Sequence, residues 1–186
     1  VCSFRSEPTS RLEVITFRPE YGQWADGIFS VRQVHDWVLL GLTGTSSYEF
    51  HSGIREARQS DLDKLAEVAK RLPIERSPFR AVQFQLAGLP YVNFVYPASG
   101  EPNTFVGIRQ YCSRAWEINY AIQLSGHSYS LVSSIKHAVL AAMERVPIVV
   151  WHLRHSEYKE YQSIAEEAGF ELWTKEYHLH MGITGI

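Results

Sequence analysis

The chain lacks the features that mark several large classes of protein. It has 186 residues but only two cysteines, Cys2 and Cys112, so it contains neither a disulfide framework nor a CxxC metal pair. No apolar run of about 18 residues occurs, and we therefore expect no transmembrane helix and no membrane partner. The N-terminus has no apolar stretch behind a basic start and does not resemble a signal peptide. We expect a reducing, cytoplasmic compartment.

An excess of one charge is also missing. The 18 Lys and Arg residues nearly balance the 20 Asp and Glu residues, which leaves a formal net charge of −2. A general electrostatic hold on DNA or RNA needs a net basic surface or a basic stripe, so we do not expect a nucleic-acid partner. The hydrophobic share of 45% is enough for a packed core, which excludes a disordered chain.

Apolar periodicity predicts strands and helices in a defined order. From residue 54 onward the pattern indicates one strand, one or two helices, three successive strands, and then alternating helices and strands. That order favours a mixed sheet with helices on both faces. We predict Ser60 as a helix N-cap and Gly169 as a helix C-cap. The predicted strands are 12–18, 37–42, 54–57, 91–96, 104–112, 115–123, 147–153 and 170–181, and the predicted helices are 60–72, 78–88, 129–144 and a last one ending before Gly169.

Residues 1–53 contain large apolar side chains and are too apolar for a free tail, with Trp24, Phe29, Trp37 and Phe50 among them. We predict that this segment packs as extra strands, forms the acceptor side of a cleft, or is the end of a preceding domain. Residues 54–186 would then form the main domain.

Four segments, in the right order, resemble the GNAT (Gcn5-related N-acetyltransferase) superfamily. Ile54-Arg-Glu-Ala followed by Asp61-Leu is similar to the family's opening strand and helix. Glu117-Ile-Asn-Tyr resembles its "EIGY" strand. Gln123-Leu-Ser-Gly-His-Ser128 resembles the acyl-CoA loop Q/R-x-x-G-x-G/A. Residues 163–171 resemble the "YEKLGFE" end of the last conserved helix.

The resemblance covers about residues 54–181. It implies an α/β fold with a GNAT-like mixed central sheet and helices on both faces, to which residues 1–53 would add an N-terminal extension of extra strands. It also implies an acyl-CoA-dependent N-acyltransferase that uses acetyl-CoA as co-substrate. The acceptor would be a primary amine on a small molecule, a peptide or a protein.

The resemblance places acyl-CoA in the gap where two parallel strands separate, with its pyrophosphate on backbone amides at the start of the next helix. A helix N-terminus favours an anion there, because its first amides lack partners and its dipole is positive. Gly126 would let the backbone approach the phosphates closely. The residues expected to hold the co-substrate are Ile122, Gln123, Ser125, Gly126, His127, Ser128 and Tyr129.

Transfer to an amine requires a general base, and Glu117 is our candidate. The alternative for Glu117 is a surface or sheet-edge glutamate. A strand N–H near Ile122 would polarise the thioester carbonyl. Tyr158 is the candidate acid that protonates the leaving thiolate, whereas the position of Tyr161 favours core packing.

Three positions depart from the family pattern. Ser125 stands where the family usually has Arg, Ser128 replaces its second loop glycine, and Ala165 replaces a tyrosine that often protonates the thiolate. These departures keep two alternatives open. One is a GNAT-fold binding or interaction module without transfer chemistry, and the other is a GNAT-fold enzyme that modifies nucleic-acid bases with a different donor. A homodimer that pairs through strand 170–181 also stays open.

Eight histidines raise the question of a metal site. His152 and His155 flank the end of one buried strand, and His178 and His180 share one face of the last strand. The GNAT resemblance makes these two strands neighbours, so the four side chains could cluster. No HExxH motif or cysteine partner accompanies them, and we therefore expect no metal ion.

Overall fold

The computed structural model describes residues 4–7, 11–16, 30–44, 48–69 and 91–182, with side chains for 37–44, 48–67 and 91–176. This part of the chain contains nine strands and three helices. The strands are β1 (Phe4–Glu7), β2 (Arg11–Thr16), β3 (Ser30–Leu42), β4 (Arg55–Glu56), β5 (Tyr91–Tyr96), β6 (Thr104–Cys112), β7 (Ala115–Gln123), β8 (Ile148–Arg154) and β9 (Glu171–Gly182). The helices are α1 (Gln59–Ala69), α2 (Ser128–Met143) and α3 (His155–Glu167). The helix predicted at 78–88 lies outside the described residues.

Most predicted elements are confirmed, and β5, β6 and β7 begin and end at the predicted residues. Gly169 ends α3 with a φ of +77°, which confirms the predicted C-cap. The N-cap prediction for Ser60 is wrong, because α1 already begins at Gln59. The side chain of Asp61 instead accepts a hydrogen bond from the N–H of Arg58, just before the helix, at 2.7 Å.

The chain divides into two compact units. The terminal unit comprises Val1–Leu40, His152–Tyr161 and Leu172–Ile186, and the central unit comprises Gly41–Trp151 and Gln162–Glu171. The strand order in the terminal unit is β1-β2-β9-β3-β8. The predicted extra N-terminal strands are therefore confirmed. The expectation that β8 and β9 are neighbours is wrong, because β3 lies between them. The domain boundary at residue 54 stays a prediction.

The central unit is built on the strand order β8-β7-β6-β5-β4. β7 pairs with β8 in parallel, whereas its pairing with β6 and the pairs further out are antiparallel. Leu65 of α1 packs in a buried cluster that includes Val95, and His137 of α2 packs against Phe94. Since neighbouring strand residues point to opposite faces, α1 and α2 cover opposite faces of a mixed sheet, as predicted.

An apolar stripe explains why α2 forms and how it packs. Its buried residues recur at the three- and four-residue spacing of one helix face. They are Leu131, Val132, Ser134, Ile135, Ala138, Val139 and Ala142. None of the helices in the described residues is long and apolar enough to cross a membrane.

An ion pair connects β4 to the start of α1. Arg55 donates from Nη1 and Nη2 to the two carboxylate oxygens of Asp61, at 2.6 and 3.1 Å, and from Nε to the carbonyl oxygen of Ala98 at 2.7 Å. The hydrogen bond from Arg55 lowers the pKa of Asp61 below its ordinary value, against the opposing effect of burial. The segment that resembles the GNAT opening strand and helix is therefore held together by the ion pair between Arg55 and Asp61.

We expect Asp61→Asn to lower the free energy of unfolding by about 2 kcal/mol at pH 7, because it weakens charge-assisted hydrogen bonds. Since the folded-state pKa is depressed, this stabilisation is fully present above the ordinary Asp value of about 4 and is lost as the pH falls through the folded value. Urea unfolding of both proteins from pH 7 to pH 3 measures it. Asp63→Asn, at an exposed carboxylate on the same helix, is the control. A gap between wild type and Asp61→Asn that stays constant to pH 3 would contradict this account.

Gly107 of β6 provides the space for a buried tyrosine on β7. A Cβ atom at this position would lie 2.2 Å from a ring carbon of Tyr120, well inside van der Waals contact. Tyr120 is buried, and its hydroxyl donates a hydrogen bond to Oδ1 of Asn93 on β5. The ring therefore cannot move aside without breaking a buried hydrogen bond.

We expect Gly107→Ala to destabilise the protein by about 2 kcal/mol, the usual cost of overpacking a buried site. Gly44→Ala is the matched control, because nothing lies within 4 Å of a Cβ atom there and its effect should stay below about 0.5 kcal/mol. Urea unfolding measures both changes. Equal stability of the two variants would show that the Tyr120 ring is free to move.

Candidate functional site

The pairing of β7 changes at Asn119. Tyr120 pairs with Gly107 and Ile118 pairs with Ile108, so Asn119 is an extra residue that forms a bulge on β7. A bulge bends its strand and increases its twist. The parallel register with β8 ends at the same place, with Ile118 opposite Trp151. Among the described residues, β7 therefore pairs only with β6 from Tyr120 to Gln123.

The ladder determines which β7 amides face away from β6. The N–H of Leu124 donates to the carbonyl oxygen of Asn103 at 2.7 Å, which makes this a hydrogen-bonded pair. Such pairs alternate along an antiparallel ladder, so the N–H of Ile122 points towards β6. The prediction that a strand N–H near Ile122 polarises the thioester stays a prediction, and the N–H of Ile122 itself is excluded from that role because it points towards β6. The amides of Ala121 and Gln123 point to the opposite edge of β7.

The side chain of Gln123 organises the loop between β7 and α2. Its Nε2 donates to the carbonyl oxygen of His127 at 2.6 Å and to Oγ of Ser130 at 2.8 Å. Oγ of Ser130 in turn donates to the carbonyl oxygen of His127 at 2.9 Å. Gly126 has a φ of +103°, which favours glycine, and Ser125 is exposed. The predicted role of Gln123 in binding is thus supplemented by a structural one.

The N-terminus of α2 presents open backbone amides. His127 precedes the helix in an extended conformation, and no side chain in the described part of the chain caps the first turn. The first amides of a helix have no intrahelical acceptor, and the positive end of the dipole lies there. The side chains of Ser128 and Tyr129 are exposed, Tyr129 by 65%. The loop and first turn can therefore accept an anion from solvent.

Glu117 lies at neither the surface nor the edge of the sheet, and only 1% of it is exposed. Arg109 on β6 is directly opposite and donates from Nε and Nη2 to Oε2 of Glu117, at 2.7 and 2.6 Å. Arg109 is also opposite Tyr91, which belongs to the cluster on the α1 face. The carboxylate therefore lies on the α1 face, two residues before the bulge.

The tyrosine candidates lie on α3 in the terminal unit. Tyr158 and Tyr161 are both half-buried. Burial and then the charges of Glu157 and Glu160 raise the pKa of Tyr161. Ala165, which replaces the family's tyrosine, is buried. The prediction that Tyr158 is the acid stays a prediction.

His152 forms a buried pair that its sequence position did not reveal. Its Nε2 lies 3.5 Å from Oε2 of Glu176, and both residues are buried in the terminal unit. The side chains of His178 and His180 lie outside the described residues. Among the side chains that the structure describes, no three His, Cys, Asp or Glu residues are grouped closely enough to hold a metal ion.

The fold is supported by similarity to solved structures and not by similarity of sequence. The sequence matches no protein-family model and has no significant match among curated proteins. A protein from Novosphingobium aromaticivorans, assigned to the GNAT acetyltransferases, superposes with a TM-score of 0.65 at 12% identity, over 94% of this chain and 75% of that one. A GNAT-family acetyltransferase from Colwellia psychrerythraea gives 0.61 at 13% identity, over 91% and 64%.

A third similar structure is a tandem GNAT protein from the clavulanic acid biosynthesis pathway, with a TM-score of 0.59 at 12% identity. The similarity covers 100% of this chain and 63% of that one. Identities this low are informative about fold alone. The chain has the GNAT fold, as a divergent example of it.

We expect Arg109→Met to lower the free energy of unfolding by about 3 kcal/mol, because it removes the guanidinium from a buried carboxylate. Adding Glu117→Gln should restore part of that loss, since the neutral side chain no longer needs a cation. Arg114→Met, at an exposed arginine in the turn after β6, is the control and should change little. Urea unfolding of wild type, the two single variants and the double variant measures the coupling energy between Arg109 and Glu117. Strictly additive effects would mean that the two side chains are not coupled.

Proposed function

We propose that this protein is an acyl-CoA-dependent N-acyltransferase that takes acetyl-CoA and an amine. The observation that carries the proposal is that β7 runs past its bulge at Asn119 directly into the open amides at the start of α2. A pantetheine chain can hydrogen-bond along the edge of β7 that faces away from β6, as an added strand does. The pyrophosphate would then meet the backbone at Gly126, His127, Ser128 and Tyr129, where a helix N-terminus favours anions.

The residues present fit such a co-substrate. Among the described residues no side-chain oxygen caps the first turn of α2, and Gly126 is exposed and has a positive φ. The co-substrate supplies an activated acyl thioester. The amide of Gln123 would hydrogen-bond to its carbonyl oxygen as negative charge develops there.

Glu117 is the proposed general base. It would take a proton from the attacking amine, directly or through water, so that the nitrogen lone pair becomes available. Arg109 holds the carboxylate in position through two hydrogen bonds to Oε2. Tyr158 is the proposed acid for the thiolate. The acceptor is a primary amine on a small molecule, a peptide or a protein, and we expect the cytoplasm as the compartment.

Calorimetry with CoA and acetyl-CoA tests the binding site. We expect wild type to bind with a Kd of about 1 to 100 μM and Gly126→Trp to bind at least tenfold more weakly, because the indole would cover the open amides. Gly100→Trp is the matched control, since Gly100 also has a positive φ but lies in an open turn between β5 and β6. Equal weakening in both variants would point to a general loss of structure.

An amine screen that detects released thiol follows, with Glu117→Gln expected to lose about a hundredfold or more in rate. Binding without turnover of any amine would favour the module without transfer chemistry. Absence of binding to either ligand by folded wild type would overturn the proposal.

A further inference from the structure

A cavity lies on the α2 face of the central unit, away from the proposed acyl-CoA loop. Its volume is about 250 Å³, roughly that of eight water molecules in the liquid. Phe94, Ile108 and Trp116 form its buried floor, and Phe50 lies at its side with 55% of its surface exposed. The proposed function uses none of these residues.

Aromatic rings dominate the wall of this cavity. The imidazole of His137 makes edge contacts with Phe50 and Phe94, with ring centroids 5.0 and 5.1 Å apart. Nδ1 of His137 accepts a hydrogen bond from the N–H of His51 at 3.3 Å. The neutral ring therefore carries its proton on Nε2. Its position is fixed by two ring contacts and one hydrogen bond.

The charged groups that line the cavity are mostly acidic. Glu56 and Glu144 are exposed at its rim, and Arg145 is the one permanent cation among the lining residues. The guanidinium of Arg145 already lies over the ring of Trp116, 5.3 Å from its centroid. Burial, and then the charge of His51, lowers the pKa of His137, so this ring adds no positive charge at pH 7. The lining carries a net charge of about −1.

We propose that this cavity binds a small organic ammonium ion. Aromatic rings attract an organic cation, as the ring of Trp116 already attracts the guanidinium of Arg145, and the two rim carboxylates match the charge of such a ligand. A metal ion or an inorganic cation would gain little from the apolar floor, and a neutral apolar ligand would gain nothing from the carboxylates.

The cavity is separate from the proposed transfer site. A rise of about 1.5 Å per residue puts Glu144 about 24 Å along α2 from Ser128. Trp116 and Glu117 are neighbours on β7, so their side chains point to opposite faces of the sheet. An ammonium ion in the cavity is therefore not positioned to meet Glu117, and the two proposals can fail independently.

Calorimetry at low ionic strength tests the inference with choline and its neutral isostere 3,3-dimethylbutanol. Choline should bind at least about fivefold more tightly than the alcohol, because only choline carries the charge. Glu56→Gln and Glu144→Gln should each weaken choline binding about two- to fivefold. Glu167→Gln, at an exposed carboxylate elsewhere in the same unit, should leave it unchanged.

Ala141→Leu tests the location, since a larger side chain at this lining position should fill the cavity and abolish choline binding. Circular dichroism of each variant checks that the fold is retained. Equal affinity for choline and the alcohol, no choline binding by wild type, or equal weakening by Glu144→Gln and Glu167→Gln would each overturn the inference. Unchanged choline binding by folded Ala141→Leu would also overturn it.

Discussion

The bulge at Asn119 is the constraint on which the arrangement of the central unit depends. One extra residue on β7 shifts its ladder with β6, and the parallel register with β8 ends at the preceding residue. Beyond the bulge, the amides of Ala121 and Gln123 point away from β6. The same shift changes which side chains share a face, so that Glu117 and Tyr120 both point towards α1. The proposed binding edge and the proposed general base thus have a common structural cause.

The loop after β7 combines internal order with an open outer surface. Gln123 and Ser130 donate hydrogen bonds to the carbonyl oxygen of His127 from within the loop, whereas none of the described side chains caps the first turn of α2. Because the hydrogen bonds inside the loop are already formed, an anion that binds there has to order fewer groups. The entropic cost of binding is lower as a result. Ser125 stands where the GNAT family usually has an arginine, so position 125 carries no positive charge. The affinity of this loop for an anion would therefore depend more on backbone amides than on side-chain charge.

Local patterns in the sequence were sufficient for most elements but not for their long-range pairing. The strands from Tyr91 to Gln123 were predictable because alternation and turn residues mark both of their ends. The position of β3 between β8 and β9 was not predictable, since periodicity contains no information on distant partners. Ser60 was misassigned because Asp61 interacts with Arg58 and Arg55 instead. The bulge at Asn119 and the cavity beside His137 have no local sequence signal, because both arise from how strands and helices pack.

The contact between Gly107 and Tyr120 has a consequence for sequence variation among proteins with this structure. The two positions share one fixed volume, so a side chain can grow at one only if it shrinks at the other. Asn93 is coupled as well, because its side chain accepts the hydrogen bond of the tyrosine hydroxyl. The three positions should therefore vary together across relatives: a larger residue at 107 would accompany a smaller one at 120 and an apolar one at 93.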